Sequence, residues 1–180
     1  MFKNILMPTD GSEHSERAVE RGIELAKLCG AKVTGIHVVP DYRLMMSMGE
    51  ETFTDSDALA KVQEYAHDHA DCFLGFVEKT AKACGVVCVT VMAINDHPYD
   101  AIVNAANEHG CDLIVMTSRF RRGLASILMR NESDRVLHRA SIPVLTFRAL
   151  MSADHPDNTA PGWRNIFHGK AQGSASNMRV

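Results

Sequence analysis

The chain has 180 residues, of which 46% are hydrophobic, and a formal net charge of −3 at pH 7. This length suits one domain with a sizeable core, and the lack of a basic excess gives no indication of nucleic acid as a partner. No apolar run is long enough to cross a membrane, and the five cysteines form no CxxC pair. We therefore expect a cytoplasmic domain without a membrane or nucleic-acid partner.

The N-terminal part of the chain predicts two strands on either side of an amphipathic helix. Asn4–Pro8 is a short apolar run, and Ser12 offers an N-cap to a helix whose apolar stripe ends at Gly30. Lys32–Val39 predicts the second strand. Within it, His37 is interpreted as a strand-end histidine with a local hydrogen bond.

The middle of the chain predicts a loop, a long helix and a further strand–helix pair. Residues 41–55 have no clear period, and we interpret them either as a variable surface loop or as a flap over a ligand. Apolar residues at helical spacing predict helices over 56–83 and 99–108. A nearly continuous apolar run between them predicts a strand over 86–94. His67 and Asp71 share a face of the long helix but lack a third ligand, so no metal site is predicted.

The region from Leu113 to Leu145 is the most informative part of the sequence. It predicts a buried strand over 113–116, a loop over 117–123, a helix over 124–139 and a last strand over 142–147. Ligands of open α/β sheets bind at the carboxyl ends of parallel strands, and a loop entering a helix there suits an anion.

Together these elements alternate as βαβαβαβαβ. Short apolar strands separated by amphipathic helices predict a doubly wound parallel sheet with helices on both faces. From residue 149 onward the chain is rich in Pro, Gly, Ser, Ala and Asn and has no sustained period. We therefore expect an α/β domain over residues 1–148 and an irregular tail over 149–180.

Two segments carry a family resemblance. The opening PTDGSEHSERAVERGIELA and the neighbours of the 117–133 loop resemble the universal stress protein family. In its nucleotide-binding members, a glycine ends the strand, a second follows after two residues, and a third, followed by Ser or Thr, after nine more. On this chain the three glycine positions fall on Thr117, Phe120 and Arg130, and the Ser/Thr position on Asn131.

The resemblance covers residues 3–148 and implies a five-stranded parallel sheet, similar to that of adenine nucleotide alpha hydrolases. It also implies a homodimer, commonly formed through the last strand. The candidate interface residues are Pro143, Val144, Leu145, Thr146 and Phe147.

The same resemblance implies where ATP or another adenine nucleotide would bind. Asp10 and Val38 would hold the adenosine, and Asp10 can equally be interpreted as a turn cap. The polar groups facing the phosphates would be Ser118, Arg119, Arg122 and Ser133. The full candidate set is Pro8, Thr9, Asp10, Val38, Met116, Thr117, Ser118, Arg119, Arg122, Gly123, Asn131 and Ser133.

The missing glycines weigh against strong ATP binding. A non-glycine in a left-handed conformation costs about 1–2 kcal/mol, so three such positions would remove much of the affinity. Arginines near the loop would offset part of this loss through charge-assisted hydrogen bonds. We therefore predict a stress-response regulatory or binding module with weak or no ATP binding. An ATP sensor using Asp10 and the 117–133 loop is the alternative, and a nucleotide-hydrolysing enzyme is a second alternative.

Catalysis is the least supported of these functions. The chain contains no GxSxG, HExxH, Walker lysine or Rossmann GxGxxG motif. We therefore assign no catalytic residue, and unknown protein partners remain open for a regulatory module.

Overall fold

The computed structural model describes residues 1–42, 56–119 and 132–149. Most of the predicted 41–55 flap, the site residues Arg122, Gly123 and Asn131, and nearly all of the tail lie outside these ranges. The strands are β1 (Asn4–Pro8), β2 (Lys32–Val39), β3 (Cys88–Ile94), β4 (Leu113–Arg119) and β5 (Val144–Ala149). The helices are α1 (Glu13–Cys29), α2 (Ser56–Cys84), α3 (Pro98–Glu108) and α4 (Glu132–Arg139).

The five strands form one parallel sheet in the order β3-β2-β1-β4-β5. The prediction of a doubly wound five-stranded sheet is confirmed. From β1 the chain first adds β2 and β3 toward one edge of the sheet. It then returns past β1 and adds β4 and β5 toward the other edge. The order therefore reverses between β1 and β4, where α/β sheets of this kind place their ligands.

Helices cover both faces, because the strand residues alternate between two apolar clusters. Helices α1 and α2 pack on one face against residues such as Ile5, Met7 and Val115. Helices α3 and α4 pack on the other face, where Leu6 and Ile114 belong to the second cluster. Because every interior strand is buried on both sides, their sequences are continuously apolar rather than alternating.

The first helix follows its predicted signals closely. The Ser12 hydroxyl accepts from the Ser15 N–H at the N-terminus, and Gly30 ends the helix at φ +64°. Gly22 faces the sheet, and a Cβ built there would lie 2.7 Å from Cε of Met7. A glycine at this position therefore lets α1 approach β1 closely.

Three predicted boundaries were wrong. The strand β4 continues through Thr117, Ser118 and Arg119, which we had assigned to a loop, because these residues pair with β5 as far as Ala149. Correspondingly, β5 runs later than predicted. The strand β3 begins at Cys88 rather than at residue 86, because the main chain just before it forms a hydrogen bond with the end of α2. There the Val86 N–H donates to the Ala81 carbonyl, which closes the helix end.

Candidate functional site

The candidate site lies at the carboxyl edge of the sheet, between β1 and β4. The ladder that joins these strands pairs Ile5 with Leu113 and Leu6 with Ile114, and it ends before either strand does. By contrast, the β4–β5 ladder runs on to Arg119. Beyond these two pairs the main chains of β1 and β4 are not paired with each other, and we call the place between their ends, where the strand order reverses, the crevice.

The loop after β1, which we call the 9–12 turn, is closed by local hydrogen bonds. The Thr9 N–H donates to the Ile36 carbonyl at 2.9 Å, and the buried Thr9 hydroxyl accepts from the Gly11 N–H at 3.2 Å. The exposed Asp10 carboxylate accepts from the Ser12 N–H at 3.0 Å and from the Ser12 hydroxyl at 2.6 Å. Asp10 therefore caps this turn, and it does so at the exposed edge of the sheet.

Gly11 completes the turn because no larger residue fits there. Its φ is +71°, a conformation that side chains with a Cβ disfavour. A Cβ at this position would also lie 2.1 Å from Cε1 of Phe73 on α2. The ring of Phe73 therefore packs directly against the main chain of the 9–12 turn.

Phe73 belongs to an aromatic stack on α2, formed by Tyr65, His69 and Phe73. The ring centres of Tyr65 and His69 lie 4.1 Å apart, and those of His69 and Phe73 lie 5.6 Å apart in an edge-to-face arrangement. The stack ends on His37 of β2, whose ring centre is 5.2 Å from that of Phe73. The long helix is thus connected through four rings to the 9–12 turn.

His37 makes a hydrogen bond at the end of its strand, but the partner is 28 positions away in the chain rather than local as predicted. Its Nδ1 lies 2.8 Å from the Thr9 carbonyl oxygen. Burial lowers the pKa of His37 below its ordinary value of 6.5, although the Thr9 carbonyl and Asp10 favour the protonated form. Because burial is the largest cause, the imidazole is neutral at pH 7.

Two apolar residues of the candidate set lie on the same face of the sheet, on the two strands that flank β1. Val38 and Met116 both pack in the cluster under α3 and α4, and Pro8 ends the strand between theirs. Thr117 and Ser118 follow on β4, where both are half-buried, and Arg119 is the last residue of that strand. The structure therefore brings the β1, β2 and β4 candidates to one edge.

At the start of α4, Ser133 is buried and the neighbouring charges are already engaged. Glu132 accepts from the Tyr99 N–H at 3.2 Å and so caps the N-terminus of α3. The guanidinium carbons of Arg135 and Arg139 each lie 5.1 Å from the centre of the Tyr99 ring. These two arginines hold α3 and α4 together, which leaves less of the arginine-rich segment to face a phosphate.

Two features were missed in the sequence. The first is the aromatic stack, although the i,i+4 spacing of Tyr65, His69 and Phe73 was visible. The cap that Glu132 gives to α3 has no local signal, because the two residues are 33 positions apart in the chain. Such contacts follow from the packing of the helices.

The last strand has the position that its predicted interface role requires. Strand β5 lies at one end of the sheet order, and Leu145 is 39% exposed on it. Pro143 precedes the strand and accepts from the Ile114 N–H, while Val144, Thr146 and Phe147 are partly buried.

Across residues 1–42, 56–119 and 132–149, no helix has the length and hydrophobicity needed to cross a membrane.

Comparison with known proteins gives a consistent result. The sequence model of the universal stress protein family matches residues 1–148. Universal stress protein MJ0531 of Methanocaldococcus jannaschii is 32% identical over 148 residues, which cover 82% of this chain and 83% of that protein. The universal stress protein in the QAH/OAS sulfhydrylase 3′ region of Thermus aquaticus is 33% identical over 152 residues, covering 82% and 100%.

Solved structures share the fold. The structure of MJ0577 superimposes with a TM-score of 0.63 at 26% identity and covers 84% of this chain and 99% of that one. A universal stress protein in complex with cAMP has a TM-score of 0.62 at 24% identity and covers 81% and 97%.

Proposed function

The chain belongs to the universal stress protein family, and we propose that it serves this stress-response family as a binding or regulatory module whose adenine-nucleotide site is weakened. The proposal rests on the contrast between the 9–12 turn and the end of β4, which lie on the two sides of the crevice. The 9–12 turn keeps an exposed carboxylate at the end of β1, whereas β4 runs as a regular strand through Thr117 and Ser118. The first half suits an adenosine, and the second half lacks a glycine cradle for phosphates.

The adenosine half is supported by the arrangement of Asp10, Val38 and Met116. Asp10 stands at the exposed edge, and the two apolar residues line the neighbouring strands on one face. A carboxylate beside apolar side chains suits a ribose or an adenine, because it accepts hydrogen bonds while the flat base covers apolar surface. These three residues are therefore our candidates for the nucleoside contacts.

The phosphate half is weakened by side chains on β4. Thr117 is held in the strand by its pairing with Phe147, and it carries a Cβ where a glycine would allow close approach of the main chain. To cradle a phosphate, the main chain at Thr117 would have to leave this ladder. That rearrangement would add to the cost of about 1–2 kcal/mol for each left-handed non-glycine residue.

An ATP-binding sensor is the second candidate. It is favoured by the early end of the β1–β4 ladder, which leaves the crevice beside the Asp10 turn. In this case Ser118, Arg119, Arg122 and Ser133 would face the phosphates and replace the main-chain cradle. The two candidates differ in affinity, so a titration distinguishes them.

The decisive experiment restores the family signature. The variant carries Thr117→Gly, Phe120→Gly, Arg130→Gly and Asn131→Ser, and ATP is titrated by calorimetry into both proteins. We expect the restored protein to bind at least a hundredfold more tightly, which corresponds to about 3 kcal/mol. Adding Asp10→Ala to the restored protein is the matched control, and it should remove most of the gained affinity.

Equal and tight ATP binding by the unmodified protein would contradict this proposal and establish the sensor instead. Mass spectrometry of the denatured, purified protein offers an independent check. A weakened site predicts no co-purified nucleotide, whereas a sensor of high affinity predicts a stoichiometric adenine nucleotide.

We also propose that the protein forms a homodimer through β5. An exposed edge strand with apolar side chains invites pairing with another strand, and a second copy would cover it. Leu145→Lys should lower the mass measured by light scattering toward that of the monomer. Leu28→Lys is the matched control, since Leu28 is exposed on α1, away from either edge strand.

A further inference from the structure

The hydrogen bond of His37 reaches the residue that precedes the candidate ligand-binding carboxylate. A carbonyl oxygen can only accept, so the 2.8 Å contact with Thr9 requires that His37 Nδ1 carries the proton. The neutral tautomer is thereby fixed, and the lone pair lies on Nε2. The ring of His37 is partly buried and its orientation is set by the edge-to-face contact with Phe73.

We infer that His37 is a positioning residue, which holds the Thr9 carbonyl and thereby sets the place of the Asp10 carboxylate. The Thr9 carbonyl carbon is bonded directly to the Asp10 nitrogen, so fixing its peptide plane fixes the start of Asp10. The inference about the turn stands on geometry alone. Its consequence for a nucleotide rests on the proposed function.

The other polar groups of Thr9 show why this contact matters. Its N–H is bonded to Ile36, and its hydroxyl lies within hydrogen-bond distance of both Gly11 N and Ser15 Oγ. The carbonyl is the remaining group, and His37 supplies its donor. With these bonds in place, the peptide between Thr9 and Asp10 cannot rotate without breaking the part-buried bond between the Thr9 carbonyl and His37.

Phe73 supports the same turn from the α2 side. It contacts Gly11 on one side and the His37 ring on another, so the histidine and the turn share one aromatic neighbour. A movement of the His37 ring would therefore disturb both its bond to Thr9 and the packing on Gly11. The stack gives the imidazole the fixed orientation that a positioning role requires.

Protonation provides a way to separate positioning from simple packing. Among the described residues, the titratable groups that act on His37 are Asp10 in the turn and His69 on α2. Asp10 favours the imidazolium, whereas burial and His69 oppose it, and the opposing causes prevail. Acidification therefore places a charge inside the stack, and the bond to Thr9 is retained only with that charge buried.

The test measures amide hydrogen exchange by NMR and needs no nucleotide. The reporters are the N–H groups of Gly11 and Ser12, which are bonded within the turn, and the reference is the Ile114 N–H in the sheet. His37→Leu removes the donor, and we expect exchange at the two reporters to accelerate at least tenfold while the reference is unchanged. Wild-type exchange at Gly11 and Ser12 in this variant would overturn the inference.

Two amide variants sharpen the test. His37→Asn places its amide nitrogen close to the position of Nδ1 and should restore protection, whereas His37→Gln places it near Nε2 and should not. As the pH falls, reporter exchange should also rise in the wild type, after correction for intrinsic rates, because burial opposes the imidazolium, and His37→Asn should abolish this rise. Equal behaviour of both amides would show that packing, and not the donor, protects the turn, and would overturn the inference.

A titration of ATP then separates the two proposals. In the protein with the restored glycine signature, His37→Leu should weaken ATP binding about tenfold, or 1.4 kcal/mol, and His37→Asn should not. Changed exchange together with no ATP binding in any variant would disprove the nucleotide site and leave the positioning role supported. Unchanged exchange disproves the positioning role whatever the titration shows.

Discussion

The 9–12 turn and the end of β4 face each other across the same crevice, yet they are stabilised in different ways. The turn is held by its own side chains and by His37 and Phe73, and it carries the exposed Asp10 carboxylate. The end of β4 is held by the ladder with β5, and its residue types depart from the nucleotide-binding signature. Two strand ends at one edge of a sheet can thus be stabilised by unrelated sets of contacts.

The largest effect is expected where the turn meets α2. Gly11→Ala should lower the free energy of unfolding by about 3 kcal/mol, because it adds left-handed strain and a clash with the ring of Phe73. Urea unfolding followed by circular dichroism measures this loss. A small effect would mean that the turn is less tightly held than the comparison with β4 requires.

A second glycine serves as the control for Gly11. Gly75 lies in α2, and a Cβ built there has no neighbouring atom within 4 Å. Gly75→Ala should therefore stabilise the protein by about 0.5–1 kcal/mol through helix propensity alone. Opposite signs for the two substitutions would show that the left-handed conformation and the contact with Phe73 at Gly11, rather than loss of a glycine as such, decide the result.

A smaller effect is expected from the Asp10 carboxylate. Asp10→Ala removes the acceptor for two donors of Ser12 and should cost about 1 kcal/mol, because the group is exposed. Asp10→Asn retains one carbonyl oxygen and should cost less. Thermal unfolding of both variants provides the measurement, and a neutral Asp10→Ala would show that the carboxylate contributes little to the turn.

A smaller loss of unfolding free energy is expected when the contact between α4 and α3 is weakened. Arg139 pairs with Asp100 and stacks on Tyr99, so Arg139→Ala should cost about 0.5–1 kcal/mol. Arg17 makes an exposed pair with Glu13 and no aromatic contact among the described residues, so Arg17→Ala should cost only about 0.3 kcal/mol. Equal losses in urea unfolding would remove the role assigned to Tyr99.

The smallest effect is expected from pH. Because the pKa of His37 is lowered in the folded protein, the unfolded chain binds more protons as the pH falls below 6.5. His37 thus makes no contribution above that pH and lowers stability progressively below it. His37→Asn should flatten this part of the curve of unfolding free energy against pH. An unchanged slope would mean that other groups cause it.

The two regions also differ in how far the sequence predicts them. The Ser12 cap, the stop at Gly30 and the turn at Gly11 are local features, and each was readable from a few neighbouring residues. The extension of β4 was not, because Thr117 and Ser118 are polar and become strand only by pairing with β5. The apolar runs correctly predicted the strands, since burial on both faces leaves a nearly continuous apolar pattern.

The candidate site shows the same limit. Asp10, Val38 and Met116 were assigned from the family resemblance, and the parallel sheet brings the ends of their strands to one edge. The support that Phe73 gives to Gly11 depends on how α2 lies across the sheet, which short-range patterns do not specify. Arg135 and Arg139 illustrate the converse, because their charge suggested anion binding while the fold places them on Tyr99.

The cap that Glu132 gives to α3 has a consequence for engineering. It fixes the start of α4 against α3, since Glu132 is the first residue of α4 and is bonded to Tyr99. Residues 120–131 are therefore bounded in the chain by two fixed points, the end of β4 and this cap. Sequences of different lengths and chemistries can be inserted between these two points and selected for new ligands.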